Sequence, residues 1–267
     1  MNKPVELSAA LALGWSLLLT LGLLSIAITV STLFGSSNFA LVVAGPAELL
    51  LMYPAARFIA KLYGDREPRK AFGLGSVSPV ELLLGASLGI ILHLPAGYLG
   101  ALVERRYPTP PEILRAQLQQ LTPTSAALAV GMLLSVAVVV PFAEELYFRG
   151  ALFGGLQRSG PAFVAIWTTS IAFALAHQEP RNWAPLLMVA LVLGTLRSLG
   201  GSIWAGVALH AAFNAATLSF VFLNRPTSVK PQEGSWQLAV IGCVLTVGGV
   251  WLFGRVAGRR LTEATGR

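Results

Sequence analysis

Three short stretches of this sequence carry side chains suited to acid–base chemistry, and each sits in or against an apolar run. They are Glu144-Glu145-Leu146-Tyr147-Phe148-Arg149, Phe173-Ala174-Leu175-Ala176-His177 and His210-Ala211-Ala212-Phe213-Asn214. An ionisable group within a membrane span costs roughly 2.5 to 3.5 kcal/mol on insertion scales, so it tends to face a bundle interior or a water-filled cavity. Glu145 and Arg149 stand four apart, share a helix face and can neutralise each other as an ion pair. Glu144 points about 100° away and is left without a local partner. His210 and Asn214 share a face by the same spacing, and Phe173 puts an aromatic ring one turn below the His177 imidazole.

Together these groups meet the requirements of amide hydrolysis. A buried carboxylate can take a proton from water, imidazoles can orient that water or donate to a leaving amine, and histidine or asparagine N–H groups can stabilise an oxyanion. Other hydrolytic sets fail on inventory. There is no His-Glu-x-x-His zinc signature, and Asp65 is the only aspartate, so no aspartyl pair exists. Gly85-Ala86-Ser87-Leu88 is set aside as a serine nucleophile because it is read as lacking a second glycine. Glu48, beside Pro46, and His93 are isolated and are read as groups that tie helices together by hydrogen bonds.

The elements that must position these groups are membrane helices. Hydrophobic residues make up 55% of the 267, charged residues only 12%, and the mean hydropathy is +0.69, against roughly 25% charged in soluble domains. Apolar windows fall at 8–34, 38–60, 79–103, 126–147, 161–177, 183–199, 201–223 and 236–257. The expected fold is all-α, a single polytopic membrane domain over 1–267 with about eight transmembrane helices around a polar catalytic cavity. Ser78-Pro79-Val80-Glu81 marks a helix start with an N-cap, a proline and a capping glutamate. Residues 104–125 read as a short interfacial helix, a connector or part of a substrate entrance. Cys243 is the lone cysteine, which excludes disulfides and thiolate metal clusters.

Charge and termini complete the reading. The stretch Met1 to Glu6 precedes an apolar run of about 26 residues, longer than the 7 to 15 of a signal core, so it leads into a retained span. The net charge of +7 sits in short loops, where it sets orientation and does not imply nucleic acid. With eight spans, the side holding both termini carries thirteen of the nineteen basic residues, so both termini are expected to be cytoplasmic.

The order Glu-Glu-x-x-x-Arg, Phe-x-x-x-His, His-x-x-x-Asn resembles the pattern of the CPBP intramembrane proteases, which include the CAAX-processing endoproteases and the bacterial bacteriocin-immunity and Abi proteins. Arg197-Ser198-Leu199-Gly200-Gly201-Ser202-Ile203-Trp204 is similar to the family's approach to its last motif, and the resemblance covers about 126–223. It implies an intramembrane endopeptidase in which Glu144 activates water, His177 holds that water, and His210 with Asn214 form the oxyanion site. Glu145, Arg149 and Phe173 would support the site. No cofactor is expected. The alternative is zinc held by Glu144, His177 and His210, with an open fourth position. The substrate would be a membrane-associated protein or peptide cleaved near its C-terminus, in a bilayer that looks like the bacterial cytoplasmic membrane. A non-catalytic immunity or accessory protein that keeps the motif for packing is the competing reading. A proton-relay transporter is a weaker one, since no inverted repeat is visible.

Convergence is the geometric requirement. Glu144, His177, His210 and Asn214 must come within about 8 Å of one another to share one water and one carbonyl. Spans four and five should therefore run on toward Arg158 and Gln178, with His210 about ten residues into span seven.

Overall fold

A computed structural model describes residues 6–35, 37–65, 67–224 and 234–265 as a bundle of helices, with no strand among the described residues. Five basic residues behind the charge asymmetry, Lys3, Arg66, Arg225, Lys230 and Arg267, lie outside the described residues, as does the Met1 to Glu6 stretch apart from Glu6. The helices are α1 (Ala9–Phe34), α2 (Asn38–Tyr63), the short α3 (Pro68–Ala71), α4 (Pro79–Ile91), α5 (His93–Arg106) and the amphipathic α6 (Pro111–Leu121). A continuous helix then runs over Ala126–Ser159, made of α7 (Ala126–Leu134), α8 (Val140–Glu144) and α9 (Phe153–Ser159) joined by two π-helical segments. It is followed by α10 (Ala162–Ala176), α11 (Trp183–Gly200), α12 (Trp204–Asn224) and α13 (Trp236–Thr265).

Local chemistry sets the starts of these helices. Ser8 and Ser125 each accept the backbone N–H three residues on, both at 3.2 Å. The expected capping box is present, with the Glu81 N–H on Ser78 Oγ at 3.2 Å and the Ser78 N–H on Glu81 Oε2 at 2.8 Å. Gly201, at φ 67°, is the left-handed cap that ends α11.

Among the described residues seven helical stretches are long and apolar enough to cross a bilayer. The fifth sequence window is the exception to the expected eight. It forms α10, only 15 residues, about 22 Å at 1.5 Å per residue and short of the roughly 30 Å hydrocarbon core. It begins just after Gly160-Pro161 and stops where His177 turns extended at φ −80°, ψ 107°. The fourth helix does run on to Ser159, past Arg158 as expected, whereas α10 ends before Gln178. His210 lies six residues into α12, not ten, because the Gly201 cap delays that helix to Trp204.

Proline explains the first π segment of the long helix. Val140 N–H reaches back five residues to Ser135 O, the i→i+5 pattern of a π turn. In that register the partner of Val136 O would be the nitrogen of Pro141, which carries no hydrogen. Asn214 Nδ2 from α12 donates to that carbonyl instead, at 2.9 Å.

The second π segment, Glu145–Leu152, is buried throughout. Within it Arg149 and Glu145 have no exposed surface and pair at 2.9 Å from Nη1 to Oε1. Arg149 Nη2 donates to Ala190 O of α11 at 3.2 Å, and its guanidinium lies 4.6 Å from the Phe173 ring centre in α10. Arg197 of α11 donates its Nε to Arg149 O at 2.9 Å. Three helices thus close on one buried cation. Arg197 in turn fills the space beside Gly73, where an added Cβ would lie 2.7 Å from the guanidinium. Arg260 of α13 holds Glu81 at 2.8 and 3.1 Å and Gly200 O at 2.6 Å, tying the last helix to the same end.

Breaking such a pair by removing one partner costs about 3 to 5 kcal/mol. Glu145→Ala and Arg149→Ala should each lower the unfolding midpoint and yield in detergent far more than Glu144→Gln does. Two fully stable variants would show that the pair is not a fold determinant.

Candidate active site

Glu144 stands one residue before the lock and points elsewhere, as the spacing requires. The residue is 7% exposed, and its carboxylate reaches two imidazoles with different oxygens. Oε1 lies 3.9 Å from His177 Nε2, and Oε2 lies 3.5 Å from His210 Nε2. His210 meets the second glutamate with its other nitrogen, Nδ1 to Glu145 Oε1 at 3.5 Å. The structure therefore brings together Glu144, Glu145, Arg149, Phe173, His177 and His210. Phe173 packs between the two histidines, at centroid distances of 4.8 Å to His177 and 5.7 Å to His210.

Asn214 sits one turn along α12 from His210, and its recorded bond is the one to Val136 O. It joins α12 to the Glu144 helix through the carbonyl that Pro141 leaves open. A carboxamide nitrogen carries two hydrogens, so this bond leaves one for other use.

The chain around His177 fixes its ring. A backbone carbonyl can only accept, so the 2.9 Å contact from Nδ1 to Phe173 O places a hydrogen on Nδ1. In the neutral ring Nε2 is then an acceptor aimed at a carboxylate, which is also an acceptor. A water that donates one hydrogen to each would satisfy both across 3.9 Å. The His177 side chain is 34% exposed, so this is the edge at which the cluster meets its surroundings. Trp183 donates Nε1 to His177 O at 2.7 Å and holds the turn beyond α10.

Small residues allow these approaches. A Cβ on Gly206 would come to 2.9 Å from Glu145 Oε2. Gly85 and Gly89 of α4 lie against the Ala205 and Leu209 carbonyls of α12, a close backbone contact that places His210. This corrects the reading of the serine stretch, which does have its second glycine in Gly89. Both glycines serve helix packing, and Ser87 is exposed in mid-helix.

His93 fulfils its tying role, with Nδ1 3.1 Å from Gly89 O, Nε2 3.0 Å from Thr217 Oγ1, and its ring stacked on Phe213 at 4.0 Å. Glu48 does not. No hydrogen bond or ion pair of Glu48 is found among the described residues, and it lies within electrostatic reach of Glu144.

The donor set can be tested for zinc. A tetrahedral shell draws one atom from each ligand to about 2.0–2.2 Å from a common point. Here Glu144 instead bridges the two imidazoles with separate oxygens, and among the described residues no three His, Cys, Asp or Glu side chains form a group able to hold a metal ion.

The Asn214 bond gives its own test. Asn214→Ala leaves a partly buried carbonyl unsatisfied, at a cost of about 1 kcal/mol, toward the low end for such groups. Adding Pro141→Ala supplies the missing N–H, so the double variant should regain much of the lost unfolding midpoint. No recovery would mean that the bond to Val136 carries little.

The helices that build this site fall in a recognisable stretch. Residues 126–216 match the family model described as Type II CAAX prenyl endopeptidase Rce1-like. No curated protein and no solved structure matches the chain. The matched stretch opens at the first residue of α7 and closes two residues past Asn214, so it contains all three motifs. Over residues 126–216, about a third of its length, the chain is similar to that endopeptidase family.

Proposed function

We propose that this protein is an intramembrane endopeptidase that hydrolyses a peptide bond of a membrane-associated protein or peptide with water activated by Glu144 and no metal. The observation that supports it most is the Glu144 carboxylate, nearly buried, lacking a helical counter-ion and flanked by His177 and His210 at 3.9 and 3.5 Å.

In this reading a water between Glu144 Oε1 and His177 Nε2 gives a proton to the carboxylate as its oxygen bonds to the scissile carbonyl carbon. The carbonyl oxygen becomes an oxyanion and takes hydrogen bonds from His210 Nε2–H and the remaining Asn214 N–H. The C–N bond then breaks, and the proton held by Glu144 passes to the leaving amine, which returns the carboxylate to its starting state. Glu145 and Arg149 stay out of the proton transfers. Glu145 Oε1 stands 3.5 Å from His210 Nδ1 without a hydrogen bond to it, which leaves the ring hydrogen free to sit on Nε2. A C-terminal, lipid-modified segment as substrate rests on the family description alone. A bacterial cytoplasmic membrane is part of the same proposal, with the short α10 counted as an eighth crossing so that both termini share the cytoplasmic face.

A farnesylated peptide ending in a Cys-aliphatic-aliphatic-X sequence, with its unmodified counterpart beside it, is a suitable probe. Glu144→Gln should slow cleavage by roughly 100- to 10,000-fold, the usual contribution of a general base, with the unfolding midpoint near wild type. Cleavage within tenfold of wild type would remove Glu144 from the chemistry. Activity should also survive exhaustive chelation, with zinc well below one per chain by elemental analysis. Loss on chelation with recovery on added zinc would replace the glutamate mechanism by a metal one.

A further inference from the structure

Beyond the proteolytic reading, the basic end of the bundle holds a second feature. A groove of about 940 Å³ opens between α2, the loop region after it and the helix carrying Glu144. Its walls are apolar, built from Pro54, Phe58, Phe72, Leu74, Phe142 and Leu146. Its rim is basic, with Arg57, Lys61 and Arg69. Asp65, the acid in its lining, faces Arg158 at 3.7 Å, so it does little to offset the rim. Phe58 is 50% exposed and Tyr53 45% exposed, the latter with Arg57 above its ring at 6.0 Å. Aromatic and basic side chains in that order are the signature of headgroup depth. A smaller pocket of about 150 Å³ shares Asp65 and Ala71 with the groove and adds Lys70, Arg158 and the mostly buried Arg197.

We infer that this groove binds an anionic phospholipid, its acyl chain along the Phe58–Phe142 wall and its phosphate at Arg57, Lys61 and Arg69. A soluble anion would make no use of the apolar wall, and a zwitterionic lipid would gain little from three cations with so little counter-charge. The volume is also that of a site for a molecule of lipid-chain size. Phe142 and Leu146 flank the two glutamates in sequence, so the lipid lies on the side of the motif helix away from the catalytic histidines.

The test measures lipid binding, so it is independent of proteolysis. Purified full-length protein in a neutral detergent is titrated with phosphatidylglycerol and with phosphatidylcholine of matched chains, and bound lipid is counted by native mass spectrometry. Wild type should prefer phosphatidylglycerol, and the preference should fade as salt is raised. The triple variant Arg57→Gln, Lys61→Gln, Arg69→Gln should bind it roughly 100-fold more weakly, at about 1 kcal/mol for each basic group near an anionic surface. These three side chains lie outside the catalytic cluster, so cleavage of a short peptide in detergent should be unchanged. Equal binding of the two lipids, a salt-independent preference or an unaffected variant would overturn the assignment. Displacement of phosphatidylglycerol by a farnesylated peptide would also overturn it, since the groove would then hold the substrate's own lipid.

Discussion

A guanidinium with no exposed surface is the constraint from which the rest of the molecule follows. Arg149 is placed where water cannot solvate it, so each helix near it must supply an acceptor or an aromatic face. Glu145 supplies the charge, the Ala190 carbonyl a second acceptor and Phe173 a ring at 4.6 Å. Those partners come from the Glu144 helix, α11 and α10. These contacts leave those helices little freedom to slide or rotate, although Arg149 Nε and Glu145 Oε2 stay without a hydrogen-bond partner among the described residues. The Phe173 carbonyl then holds His177 one turn along, and Glu145 faces His210 across the interface at 3.5 Å. Glu144, the next residue back, is held by all of this without taking part in it. Removing two charges from water is costly and rarely stabilises a fold by itself, so the worth of this pair lies in the geometry it imposes. An apolar replacement for Arg149 and Glu145 could pack as well, yet it would not select one rotation of the helix that carries Glu144.

The long helix shows how a local defect becomes a contact between helices. Pro141 removes a backbone donor, the helix widens around Ser135–Val139, and a carbonyl is left facing α12. Asn214 meets it. Asn214, proposed above for the oxyanion site, repairs the backbone with one hydrogen and keeps the other. Gly85, Gly89 and Gly206 bring the neighbouring backbones close enough for these short polar side chains to reach.

Much of this was legible in the sequence where period and spacing decide the outcome. Glu145 and Arg149, four apart, had to share a face, while Glu144 had to leave it. Ser78 and Glu81 had to cap a helix. The family resemblance was carried by residue order alone, and the family match to residues 126–216 agrees with it. What spacing could not give was the pairing between helices. Nothing local tells that Asn214 would meet Val136, that Trp183 would hold His177, or that Glu145 rather than Asn214 would stand opposite His210 Nδ1. The window at 161–177 matched α10 to within a residue at each end, and it was the extension toward Gln178, asked for by the convergence of the site, that did not occur. The backbone turns extended at His177 and ends the helix there.

The central claim is that Glu144 acts as a base, supplied with water beside His177. Chemical rescue tests it most directly. Glu144→Ala removes the carboxylate and opens space at the partly exposed edge of the cluster, where a small carboxylate such as formate can enter. If Glu144 is the base, the variant should be inactive in buffer and should regain cleavage in proportion to added formate, with chloride at equal ionic strength having no effect. A variant that stays inactive at every formate concentration, or that cleaves without any, would contradict the account.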